Sequence, residues 1–221
     1  MIIRNRLAAL IFRSLAFALS IAVLLYHFHK AGDFAPHLYN YFYILSALYT
    51  IVIFGFMIIF NAIDLRRGLF GIPSSVFAPL SLTLVCFSGA SIVGNLCYLL
   101  PLGIMDFSIS YLLVNFTIPL FVIANWLLFE EKGTVKFTSI VLWMIIPMIY
   151  VGVELIRPYT WAPDPIFDGS KYPYPFMDFD KNGVWETWGQ LIAAALVFVA
   201  ISILTVFLNN LVAGKYKKRA A

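Results

Sequence analysis

Six apolar runs, each about as long as a bilayer core is thick, take up most of this 221-residue chain. They cover residues 7–28, 39–63, 76–100, 109–129, 137–156 and 186–212. A hydrocarbon core takes about 20 helical residues to cross. Backbone groups in lipid must bond within their own segment, so each run is expected to be a helix. None shows the period-two alternation of a transmembrane strand, which excludes a β-barrel. Composition agrees: 62% of the residues are apolar and 12% charged, more apolar surface than a water-soluble domain of this size buries. The expected fold class is all-α: a polytopic integral membrane protein, a bundle of six transmembrane helices in a single domain over residues 1–221. The first run is longer than a signal-peptide core and no small-residue cleavage site follows it, so it reads as a retained helix.

The formal charge of +4 matters less than its placement. Arg4 and Arg6, Arg66 and Arg67, Lys132 and Lys136, and Lys215, Lys217, Lys218 and Arg219 fall at the N-terminus, in the second and fourth connections, and at the C-terminus. The other face has only Lys30, Arg157, Lys171 and Lys181. The positive-inside rule then puts both termini in the cytoplasm. The expected location is the cell membrane, of the bacterial cytoplasmic kind. The basic C-terminus suits anionic headgroups, so the expected partners are membrane lipids. No nucleic-acid motif accompanies the charge, and no cofactor is called for. Cys86 and Cys97 lie eleven residues apart on one helix, too far for a disulfide.

Polar residues within the runs are the best pointers to a site. Tyr43, Ser46 and Thr50 share one face of the second run at i, i+3, i+7 spacing. Asn95 lies near the outer end of the third run, Asn115 lies nearly two turns into the fourth, and Glu154 is near the outer end of the fifth with Arg157 three residues on. Tyr43 and Asn115 sit roughly 6 and 9 Å below the outer helix ends, at about 1.5 Å per residue, so a direct bond between them is expected. These six residues (Tyr43, Ser46, Thr50, Asn95, Asn115 and Glu154) are the candidate pocket. Arg13 is expected to snorkel to the cytoplasmic interface, with Asp64 as partner. Ala90 and Gly94 form a small-xxx-small pair for close helix approach. Pro119 and Pro147 interrupt the backbone ladder of runs four and five.

The outer loop, residues 157–185, contains Tyr172-Pro173-Tyr174-Pro175-Phe176. Alternating Tyr and Pro favour a stiff, extended backbone, and Tyr172, Tyr174 and Phe176 are read as a cap over the outer end. The same loop has Trp161, Asp164 and Asp168, and then Asp178-x-Asp180-x-Asn182-Gly183, which resembles the start of a calcium loop. Its twelfth position, where a bidentate Glu belongs, is Gly189, so an Asx-rich turn is the simpler reading. His27, His29 and His37, around the first connection, are a weak zinc candidate without visible supporting partners.

Several of these segments resemble a known family. Tyr41-Phe42-Tyr43-Ile44-Leu45-Ser46, Pro119 with Asn125-Trp126-Leu127-Leu128-Phe129, Trp143 with Pro147 and Tyr150, and the Tyr-Pro-Tyr-Pro-Phe-x-Asp pattern ending at Asp178 are similar to motifs of the bacterial Pr-six-Pr membrane family. That family is similar to the androgen-induced membrane hydrolases of animals. The resemblance implies a six-helix bundle that cleaves fatty acid esters of hydroxy fatty acids with an intramembrane Thr nucleophile and a His. In this chain the Thr position is Tyr43, the His position Asn115, and the Asp before Trp126 is Asn125. An asparagine amide cannot shuttle a proton at neutral pH, and a hydroxyl nucleophile needs a base within reach. The expectation is therefore a non-catalytic lipid-pocket protein. Two alternatives stand: an active lipid-ester hydrolase with a relocated Ser or Thr and His, and a small-solute transporter.

Overall fold

The computed structural model describes residues 3–32, 36–71, 73, 77–133, 135–160, 167 and 169–220. Trp161, Asp164 and Asp168 lie outside the described residues, as do the side chains of Lys215, Lys217, Lys218 and Arg219. Six helices are long and apolar enough to cross a membrane: α1 Arg6–Lys30, α2 Phe42–Arg66, α3 Ala78–Leu99, α4 Ile109–Phe129, α5 Ser139–Thr160 and α6 Phe179–Ala213. The described residues form no named strand. The chain is a multi-pass helical membrane bundle.

Helix ends follow the local chemistry. Asn5 caps α1, its side chain accepting from the Ala8 N–H at 3.1 Å. The second helix starts three residues later than hydropathy suggests because residues 36–40 make a 3-10 turn, and it runs on to Arg66. Ser108 caps α4 through the Tyr111 N–H. Asp178 accepts from the N–H groups of Asp180 and Lys181, each at 3.1 Å, and opens α6. Gly183 then leaves helical geometry at φ 76°, a conformation that costs glycine little.

Lipid tails are as apolar as leucine, so close packing and interhelical hydrogen bonds hold such a bundle. The core sits on α3, half of whose most apolar stretch is buried, against 17% for α5. Phe54 and Met57 of α2, Leu82 and Phe87 of α3, Val122 and Trp126 of α4 and Phe198 of α6 pack together there. At Gly89, α3 packs tightly against α6: a Cβ there would lie 2.9 Å from Ile201, whereas nothing lies within 4 Å of a Cβ at Gly94. Ala90 packs against the core as expected, but the close approach falls at Gly89 and not at Gly94. Pro147 stays within a continuous α5.

One end of the bundle gathers the N-terminus and the α2–α3 and α4–α5 connections. The Ile3 N–H bonds the Leu128 carbonyl at 2.7 Å, Arg6 pairs with Asp64 at 3.3 Å, and Gly133 abuts Ala213 of α6. This basic end also decides the fate of Arg13. The expected snorkelling does not occur, because Asp64 is taken by Arg6. Arg13 is instead 2% exposed and donates from Nε to Asn125 Oδ1 at 2.8 Å.

Candidate functional site: a polar layer between α1, α2, α3 and α4

Two widened helical turns build the site. In α3 the backbone takes a π-helical turn over Asn95–Leu99, and in α4 a second over Leu113–Thr117. Each is followed by a proline, Pro101 and Pro119. A proline offers no N–H to the carbonyl a turn back, and a π turn is one way to absorb that loss. The two turns put Asn95 and Asn115 side by side. Asn115, 1% exposed, accepts at Oδ1 from Asn95 Nδ2 and from the Ser91 hydroxyl, both at 3.2 Å. It donates from Nδ2 to the Tyr111 carbonyl at 3.2 Å. Asn95 also donates to the Ser91 carbonyl at 2.8 Å and accepts from the Tyr111 hydroxyl at 2.8 Å.

Tyr43 does not bond Asn115, contrary to expectation. Its hydroxyl lies 3.2 Å from His27 Nε2, with the two rings edge to face. The ring of Tyr111 stands 5.6 Å from that of Tyr43 while the Tyr111 backbone engages Asn115. This pairing was not expected: α1 runs past His27 to Lys30, so His27 sits within the helix and is 5% exposed instead of facing water. Ser88, Ser91 and Tyr111 also belong to the layer. The only sequence signal for them was helical spacing: Ser91 and Ser88 lie four and seven residues before Asn95, and Tyr111 four before Asn115.

Ser46 and Thr50 lie beside Tyr43, the Thr50 hydroxyl donating to the Ser46 carbonyl at 2.8 Å. Together with Ser88 and Ser91 they line an internal cavity of about 10 Å³, room for a single water-sized particle and far short of an acyl chain. A shallow apolar groove of about 380 Å³ lies on the outside of α4, lined by Met105, Ile109, Leu112, Leu113, Phe116 and Thr117.

Glu154 does not join this layer. It pairs with Arg157 at 2.9 Å, both side chains being buried, and Arg157 donates onward to the Lys171 carbonyl and covers the Phe167 ring. That buried pair fastens the outer loop. Tyr174 accepts from the Phe42 N–H at 3.1 Å, which satisfies an orphan donor at the start of α2. Its ring stacks on Phe176 at 5.3 Å and meets Tyr41 edge-on; Phe176 in turn packs on Tyr98 of α3. Tyr172 bonds the Tyr159 hydroxyl at 3.2 Å. Burial first, then neighbouring hydroxyls, pushes the Tyr172 and Tyr174 phenols well above their ordinary range. Both stay protonated at neutral pH.

The residues of the calcium candidate bond within the outer loop and the start of α6. Asp178 accepts from two backbone N–H groups and from the Ser170 hydroxyl at 2.8 Å. Asp180 pairs with Lys171 at 3.1 Å, and Asn182 donates its amide to the Pro175 carbonyl at 2.7 Å. Among the described residues no three His, Cys, Asp or Glu side chains come together as a metal site; His37 instead meets the Phe167 ring. No protein-family model, curated protein or solved structure matches the chain.

Proposed function

We propose that the chain is a non-catalytic relative of the intramembrane lipid-ester hydrolases, set in the cell membrane with both termini cytoplasmic. In this reading it holds a lipid chain without cleaving it. One observation carries the proposal. Asn115, at the position where the resemblance calls for a proton-transferring His, has both ends of its amide engaged by Asn95, Ser91 and Tyr111. A group so satisfied is structural, and an amide has no proton to exchange in the working pH range. The lipid would lie in the outer groove of α4, whose volume falls in the range of ligand sites; the hydroxyl-lined cavity is too small for it.

Mass spectrometry of lipids retained through purification in mild detergent tests this. The expected result is a defined lipid species, lost when the groove is filled by Leu113→Trp. Lipid content identical in the two proteins, or a random sample of the host membrane, counts against it.

A second reading has one observation in its favour. His27 Nε2 lies 3.2 Å from the Tyr43 hydroxyl, within reach for a base to activate a nucleophile. Tyr43 occupies the position where the resemblance calls for the nucleophile. Covalent labelling by a fluorophosphonate probe, abolished by Tyr43→Phe and by His27→Ala, would establish the hydrolase and end the non-catalytic proposal.

A further inference from the structure

The small cavity between α2, α3 and α4 has a wall unlike an ordinary packing defect. Five of the residues that line it carry side-chain hydroxyls: Tyr43, Ser46, Thr50, Ser88 and Ser91. Two of them have donated their protons elsewhere: Thr50 to the Ser46 carbonyl and Ser91 to Asn115 Oδ1. A hydroxyl whose proton points away has only lone pairs to offer a further neighbour. Tyr43 has the same option, since His27 Nε2 stands 3.2 Å from its oxygen.

The α4 side adds a backbone acceptor. In the π turn the Ile118 N–H bonds the Leu113 carbonyl, five residues back. The next carbonyl in that register, Val114, pairs with the N–H of residue 119, and residue 119 is proline. Val114 and Pro119 both lie in the cavity wall. Residues that own neutral oxygen acceptors thus come from three helices to a space of about 10 Å³, and no residue lining it carries a formal charge.

We infer that this cavity is a binding site for a single dehydrated sodium ion. Hard cations take oxygen ligands. Irregular membrane helices supply them by exposing backbone carbonyls that a regular helix would consume. Converging neutral dipoles can replace the hydration shell of a monovalent cation without any carboxylate. The volume admits one small particle and leaves no space for retained water. The inference does not depend on the lipid proposal, because the groove of that proposal lies on the outside of α4.

The test is thermal unfolding of the full chain in detergent, in sodium chloride and in choline chloride at equal ionic strength, together with direct binding of radioactive sodium. Sodium should raise the melting temperature saturably in the millimolar range, with bound label approaching one ion per chain. Thr50→Val removes one ligand oxygen and should abolish both effects while melting normally in choline. Ser46→Ala serves the same purpose where the valine variant does not fold, and should weaken binding at least tenfold. Equal melting in the two salts with no bound label overturns the inference and leaves the cavity to a water molecule. Retained lipid is measured on the same samples, so that loss of the ion site and loss of the lipid site are read separately.

Discussion

The Nε of Arg13 donates to Oδ1 of Asn125 at 2.8 Å, across 112 residues of sequence. The same Asn125 donates to Glu130 Oε1 at 2.5 Å, and Ser81 of α3 donates to that carboxylate oxygen as well. Lys132 closes the group, 4.3 Å from the centre of the Trp126 ring and donating to the Trp126 carbonyl. One asparagine therefore couples the cation of α1 to the anion that follows α4, at the basic end of the bundle.

Asn125→Leu should be among the most damaging single substitutions. It strips Arg13 and Glu130 of their shared partner while both remain buried, and each lost hydrogen bond to a charged group costs about 1.5–3 kcal/mol. A melting temperature measured in detergent should fall by roughly 10 °C, taking about 2–4 °C per kcal/mol for a chain of this size. A fall of only one or two degrees would show that the cluster rearranges around leucine.

The same cluster predicts a slope in alkaline stability. Burial pushes the Lys132 ammonium down from 10.5 to about 8, against the opposing pull of Glu130. Between those two values the unfolded chain holds more protons than the folded one, so stability rises with pH across that window. Raising pH from 8 to 10 should raise the melting temperature, and Lys132→Met should flatten that rise. Parallel pH profiles for the two proteins would refute the assignment. Glu130 works in the opposite sense. Burial raises its pKa above 4.5, so its contribution falls as pH climbs from 4.5 through the raised value.

Tyr174→Phe keeps the stacked ring and deletes only the acceptor for the Phe42 N–H. The expected loss is about 0.5–1.5 kcal/mol. Amide hydrogen exchange at Phe42 should quicken while the rest of α2 stays protected. Unchanged protection there would mean that water replaces the phenol.

Gly133 and Gly94 make a matched pair. Gly133 has φ 80°, and a Cβ there would lie 2.6 Å from that of Ala213; Gly133→Ala combines a steric clash with a left-handed conformation that costs roughly 1–2 kcal/mol for an L-residue. Gly94 is helical with open space around it, and Gly94→Ala should be neutral or stabilising by up to about 1 kcal/mol. Thermal melts of the two variants should diverge in sign; a common direction would count against the packing described at the α4–α5 connection.

The residues that follow hydropathy were legible in advance. The fourth span coincides with its apolar run at 109–129, and the other five helices match their runs to within a few residues apart from the start of α6. Transfer of a peptide group into lipid is so costly that length and apolarity alone dictate which segments become helices. The Asx-rich turn at Asp178 was legible too, since a short acidic side chain bonds nearby backbone N–H groups, but that it opens α6 seven residues before the apolar run was not. The pairing of polar groups was not. Arg13 could be placed on its helix, yet its partner is Asn125 because Asp64 is engaged by Arg6. His27 lies near the end of its apolar run, yet it faces Tyr43 because α1 extends three residues beyond it. Hydropathy determines that a segment spans; it does not encode the rotation of each helix about its axis or its register against its neighbours. Those are decided by side-chain packing and by π turns that shift every later residue around the helix, and with them which hydroxyl, amide or charge meets which.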